Sequence, residues 1–144
     1  ILRPDTRALL SALWNGGYRM GIISNTSSVT QVYYNLDNYG IRKYFDVITL
    51  SSICGYRKPN RIPFDITLAD MNAKPSETVY VGDTISRDVI GSKNAGLAMN
   101  IKINSALTAI SDNDYESDVL DADHVIQNLI EVYDILENYN NERG

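Results

Sequence analysis

The chain of 144 residues is poor in several things at once. It has one cysteine, Cys54, which excludes a disulfide framework and a cysteine-built zinc site. It has one histidine, His124, too few for a histidine metal cluster. Basic charge is in the minority: 13 Lys and Arg stand against 18 Asp and Glu, for a net charge of −5. No basic field is available to hold a phosphate backbone, so no nucleic-acid partner is expected. No apolar run approaches the roughly 18 residues of a membrane span. No basic start followed by an apolar stretch marks a signal peptide. The expectation is therefore a cytoplasmic protein with no membrane partner. An initiating Met is also missing, since the chain opens on Ile1, which points to a processed, cloned or partial product. What remains is an ordinary globular composition, 44% hydrophobic and 22% charged. The length suits one domain over 1–144 with a core of its own and a polar tail at 138–144.

The pattern along the chain alternates helix and strand, which predicts an α/β domain with a Rossmann-like parallel sheet flanked by helices. Pro4-Asp5-Thr6 reads as a helix start, followed by the apolar stripe Leu9, Leu10, Leu13 and Trp14 and closed by Gly16-Gly17. Residues 18–23 read as a buried strand, and Thr26, Ser27 and Ser28 supply caps for a helix that stops before Gly40. A strand follows at 46–50, then a loop at 55–60, where Pro59 biases Lys58 away from helical geometry. A ragged helical stripe covers 62–71, a strand 77–81, a helix 86–95 and a strand 97–103. The polar stretch 104–118 reads as a loop, 124–126 as a last short strand and 129–136 as a last helix, with a frayed tail beyond Asn138.

Chemistry collects where strands end. In open parallel sheets, ligands bind beyond the carboxyl ends of the strands. The first strand runs into Ser24-Asn25-Thr26-Ser27 at a helix start, where hydroxyls and backbone N–H groups suit an anion. The second leads to Lys58, a point charge for phosphate or carboxylate. The third ends in Gly82-Asp83-Thr84, with Asp88 five residues past Asp83. Two carboxylates on one loop suit a hard cation such as Mg²⁺, which takes one or two carboxylates plus water and phosphate oxygens. An anion pocket, a cationic side chain and an acid pair along one edge describe a magnesium-dependent phosphoryl-transfer site.

Each piece also has a plain structural reading: a helix cap, a solvated lysine, a pair of turn residues. It is the ordered set that argues for chemistry. Cys54 reads as a small packed residue without a His partner nearby, and His124 as a strand residue. The ten tyrosines read as the amphipathic boundary of the core. The acids at 112, 114, 116, 118, 121 and 123 read as a solvated run, with a loose calcium loop as the minor alternative, since they lack EF-hand spacing.

These residues resemble the haloacid dehalogenase (HAD) superfamily, in its phosphatase-like branch. Gly21-Ile22-Ile23-Ser24-Asn25 looks like that family's second motif, Gly55-Tyr56-Arg57-Lys58-Pro59 like its third, and Gly82-Asp83 through Asp88 like its fourth, in the GDxxxxD form. The match spans about Pro4 to Ile126 in the family's order. The resemblance implies that Ser24 bonds a phosphoryl oxygen, with Asn25 and Thr26 lining the substrate pocket. Lys58 would offset charge on the nucleophile and the phosphoryl group. Asp83 would be a Mg²⁺ ligand, and Asp88 a second ligand or the holder of a metal-bound water. The acid pair favours phosphate chemistry over dehalogenation.

One motif is missing. The family's first, DxDxT, carries the aspartate nucleophile, and Asp5-Thr6 does not replace it, because Arg3 stands where the first Asp belongs. The resemblance therefore implies a HAD-like core that lacks its first strand, with a gap between the strands bearing Ser24 and Asp83. The expected function is a Mg²⁺-dependent phosphatase of a small phosphorylated metabolite, acting through an aspartyl-phosphate when complete. The sheet would be completed by an N-terminal segment or another chain, and these 144 residues alone would be inactive. The alternatives are a non-catalytic binding or regulatory domain and a phosphomutase-type phosphotransferase.

Overall fold

The computed structural model describes residues 2–104 and 122–143. The loop expected at 104–118 therefore lies outside the described residues from 105 onward, as does the acidic run except Asp123. Helix α1 (Thr6–Asn15) buries Leu9, Leu10 and Leu13. Trp14, expected in the same stripe, is 52% exposed and meets Tyr44 edge-on at 5.9 Å. It stands about 100° round the helix from Leu13, which carries it off the buried face. Asp5 occupies the N-cap position without capping. Its Oδ2 instead accepts from the Ile130 N–H at 2.9 Å, joining the two ends of the chain. Gly17, at φ 82°, closes the helix in the left-handed region.

Strand β1 (Gly21–Ser24) starts later than expected and pairs in parallel with β2 (Val47–Leu50), with Ile22 opposite Ile48. Between them α2 (Gln31–Tyr39) crosses over, its start held by Ser28 Oγ, which accepts from the N–H groups of Thr30 and Gln31. A single turn, α3 (Ser51–Cys54), follows β2 and was not foreseen. The ragged stripe forms α4 (Ile62–Met71), with the bounds expected of it. This helix packs on β1 and β2, and a buried Thr49–Thr67 hydroxyl pair at 2.6 Å ties it to β2.

The second sheet has the order β3-β4-β5, all parallel. Strand β3 (Val79–Gly82) begins after a 3-10 turn at Pro75–Glu77, so Glu77 is not part of it. The helix expected over 86–95 is a π turn, Ile85–Val89, followed by the short α5 (Ile90–Asn94). Strand β4 (Met99–Ile103) is buried at every position and does not alternate. It lies between two strands with both faces covered, as parallel sheets require. Strand β5 (His124–Ile126) is as expected, and α6 (Glu131–Arg143) runs to Arg143. The expected frayed tail is thus helical to that point, and Asn140 Nδ2 donates to Tyr18 Oη at 2.7 Å. No helix among the described residues is long and apolar enough to cross a membrane.

Two apolar clusters result. Leu9 and Leu13 of α1 join β4, Ile126 and α6, while Leu10 joins Leu36 and Ile41. Helix α1 therefore serves both. Strands β1 and β3 belong to different sheets and do not pair. Between them lies a groove of about 820 Å³, walled by Ile22 and Ile23 on one side and Val79 and Val81 on the other. Leu13 and Leu136 also line it. This is the gap that the absent first motif implied.

Burial sets the expected costs. Ile101, 1% exposed at the centre of β4, should lose about 2–5 kcal/mol on change to Ala. Trp14→Ala should cost less than about 1 kcal/mol, since its ring is half in water. Urea unfolding midpoints of the two variants measure both; a larger loss at Trp14 would contradict this packing.

Candidate active site

The carboxyl ends of β1, β2 and β3 meet through side chains. Ser24 ends β1 opposite Leu50. Asn25 follows, and its amide acts like a missing strand partner. Its Nδ2 donates to the Lys58 carbonyl at 3.0 Å, and its Oδ1 accepts from the Lys58 N–H at 2.8 Å. The Gly55–Asn60 loop is thereby pinned to the end of β1. Two serines at the start of α3 hold the same turn from the other side. Ser51 Oγ accepts from the Thr26 N–H at 2.8 Å and donates to the Thr26 carbonyl at 3.0 Å. Ser52 Oγ donates to the Ser28 carbonyl at 2.6 Å. Ser24 takes no part in these ties. The serine pair escaped sequence reading, although two hydroxyls directly after a strand were the available signal.

The charged centre lies between the loop after β2 and the turn after β3. Lys58 Nζ sits 2.7 Å from Asp88 Oδ1, with the two side chains 10% and 6% exposed. The same ammonium donates to Tyr80 Oη at 2.8 Å, and that hydroxyl donates to Asp88 Oδ1 at 3.1 Å. The other oxygen, Asp88 Oδ2, accepts from the N–H groups of Asp83 and Thr84 at 3.1 Å each and from Thr84 Oγ1 at 2.9 Å. Thr84 is itself fully buried and caps the π turn. The bond to Thr84 and the turn after it aim Asp88 back over the strand. Burial by itself would push the Asp88 carboxyl up. The Lys58 charge and hydrogen bond, with the Thr84 bonds, outweigh it and hold that group below the usual carboxylate value. The Tyr80 hydroxyl is pushed well above its ordinary value by burial first, then by the Asp88 charge and hydrogen bond.

Gly82 makes room for this. A Cβ there would lie 2.3 Å from the Asp88 carboxyl carbon and 2.5 Å from Oδ2. The Gly82 φ is not in the left-handed region, so proximity rather than backbone freedom selects glycine.

Of the residues singled out from the sequence, the structure therefore joins Asn25, Lys58 and Asp88 directly. Asp83 is joined by its backbone, and Ser24 and Thr26 flank the cluster on the β1 turn. Tyr80 and Thr84 are additional members. As a cation site, the set offers carboxylate oxygens. Asp83 is half-buried, whereas both Asp88 oxygens already accept from five donors, more than a carboxylate's roughly four lone-pair sites. Among the described residues no group of three or more His, Cys, Asp and Glu surrounds a common point. A hard cation such as Mg²⁺ needs only one or two protein carboxylates, water and phosphate oxygens supplying the rest, and Asp83 is the carboxylate with capacity to offer. Cys54 is half-buried beside the Tyr56 carbonyl, and His124 is exposed on β5.

Residues 2–101 match the haloacid dehalogenase-like hydrolase family. This chain belongs to that family. Among curated relatives it is 35% identical over 133 residues to a glyceraldehyde 3-phosphate phosphatase of Methanothermobacter thermautotrophicus, covering 92% of this chain and 58% of that protein. It is 40% identical over 96 residues to a pyrimidine 5′-nucleotidase of Escherichia coli, covering 66% of this chain and 42% of the other. Among solved structures, a HAD phosphatase from Thermococcus onnurineus superposes with a TM-score of 0.78 at 32% identity, over 94% of this chain and 58% of that one. The chain thus spans about half the length of the curated relatives it matches.

Two outcomes follow for this HAD-family site. Gly82→Ala should cost about 3 kcal/mol or more, because the methyl group displaces Asp88 from its donors; chemical denaturation checks it, and a neutral result would contradict the close approach. The second concerns acid. Asp88's pKa is lowered in the folded state, so its contribution is complete above the unfolded value of about 3.9 and fades as pH falls through the lower folded value. Unfolding midpoints taken from about pH 6 down to about pH 2.5 should fall more steeply for the native chain than for Asp88→Asn.

Proposed function

We propose that the whole protein is a Mg²⁺-dependent phosphatase of a small phosphorylated metabolite in the cytoplasm. The observation that carries this reading is the buried Lys58 ammonium, held 2.7 Å from Asp88 between the loop after β2 and the turn after β3. A cation fixed in a dry setting favours charge that develops on a transferring phosphoryl group far more than a solvated lysine does. Ser24, with Asn25 and Thr26 on the same turn, lines the phosphate side of the site. Asp83 is the carboxylate offered to Mg²⁺, while Asp88, saturated by protein donors, anchors Lys58. When bound, Mg²⁺ supplies Lewis-acid polarisation of a phosphoryl oxygen and offsets charge.

The acceptor is an aspartate outside this chain, on a strand that fills the groove between β1 and β3. Among the described residues β1 pairs only with β2 and β3 only with β4, so each has an edge to which such a strand could add. That aspartate's oxygen would bond phosphorus as the ester P–O bond breaks, the leaving alkoxide taking a proton. Water would then release phosphate and restore the carboxylate. The phosphatase names of the relatives support the substrate class, although the particular phosphate ester differs between them.

Turnover of p-nitrophenyl phosphate with Mg²⁺ tests the reading. The whole protein should be active, and Asp83→Asn or Lys58→Ala should reduce kcat by about 10²–10³-fold. A whole protein inert with Mg²⁺ would overturn it. The 144-residue chain by itself should show no turnover, because it lacks the acceptor. Normal activity from that chain alone would show that the nucleophile has been misplaced.

A further inference from the structure

We propose that Tyr80 is a positioning residue that fixes the direction in which Lys58 presents its remaining N–H to the site. The inference rests on the phosphatase reading for its catalytic consequence and on geometry alone for its structural one. Tyr80 lies on β3, three residues before Asp83, and shares Asp88 Oδ1 with Lys58. The three polar atoms form a closed triangle: Nζ to Oδ1 at 2.7 Å, Nζ to Oη at 2.8 Å and Oη to Oδ1 at 3.1 Å. An ammonium has three donors in tetrahedral array. With Asp88 alone, Nζ can slide round one carboxylate oxygen and carry its other donors with it. With Asp88 and Tyr80 both engaged, two donors are fixed, and the direction of the third follows.

The ring is placed for this task. Phe64, 1% exposed, meets it edge-on with centroids 5.0 Å apart, and Lys58 Nζ lies 5.4 Å from the Tyr80 centroid. Phenylalanine would fill the same space, so packing does not require the hydroxyl. A buried hydroxyl that merely satisfies itself adds little net stability. Here it adds a second fixed point to a charge that must be aimed, and alignment of a reacting or stabilising group acts chiefly on the chemical step. The effect therefore belongs in kcat more than in KM.

Tyr80→Phe in the whole protein is the test, with Ile101→Val as the packing control. For Tyr80→Phe, kcat should fall about tenfold, the equivalent of one hydrogen bond to a charged group, with KM within about twofold. The melting temperature should move by no more than about 3 °C. A second reading needs neither metal nor turnover: acetylation of Lys58 by acetic anhydride in the metal-free protein, followed by mass spectrometry, should quicken severalfold relative to the other lysines. Ile101→Val, buried on β4 away from the site, should lower the melting temperature while leaving kcat of the folded protein within about twofold. If Tyr80→Phe leaves Lys58 acetylation unchanged, the hydroxyl does not hold the ammonium and the proposal fails, whatever the assay shows. Faster acetylation supports the positioning role even in a protein without phosphatase activity, so failure of the two readings can be told apart.

Discussion

A lysine and an aspartate that exclude nearly all water from each other organise this molecule. Lys58 comes from the loop after β2 and Asp88 from the π turn after β3, so their 2.7 Å contact joins residues carried by two separate sheets. Desolvating two charges is expensive, and their attraction compensates only when the remaining donors and acceptors are satisfied. The surroundings meet that condition closely. Tyr80, Thr84 and two backbone N–H groups complete the carboxylate, Asn25 fixes the lysine's backbone, and Gly82 leaves the space that Asp88 occupies. Removal of either charge would leave the other buried and unpaired, so Lys58 and Asp88 act as one unit.

The rest of the fold supplies the frame for that contact. Helix α1 packs leucines into both clusters and joins the halves at the side chains of Leu9, Leu10 and Leu13. The Lys58–Asp88 pair joins them again where the strands end. Between these joints run two strand edges that do not meet. The site's rigidity therefore does not come from a continuous sheet. It comes from paired hydrogen bonds between loops, and the reciprocal Asn25–Lys58 contact does the work that a ladder performs elsewhere.

Much of this was legible in the amino-acid order. The α/β alternation, the bounds of α4 and β5, and the family itself followed from periodicity and from three motifs at strand ends. The pieces that escaped share a cause. Trp14 misled because a run of apolar residues was read without its angular placement. The π turn at Ile85–Val89 arose because the Thr84 carbonyl accepts from the N–H groups of both Asp88 and Val89, a competition no propensity scale contains. Tyr80, Ser51 and Ser52 were invisible as site members because their roles depend on which loops lie opposite them. Thr26 and Asn25 were seen as pocket residues, whereas their contacts here show them also holding the pocket's walls in place.

The groove has a consequence for composition. Its walls are mostly apolar, with Ile22 and Ile23 from β1, Val79 and Val81 from β3, and Leu13 and Leu136 from helices α1 and α6. A strand buried on both faces cannot alternate polar and apolar residues; it reads as an unbroken run of Val, Ile and Leu. Because the polar cluster sits at the carboxyl end of β3, such a strand laid parallel to its neighbours would turn polar only in its last residues. A strand laid in the groove would therefore be greasy for most of its length and polar only where it ends.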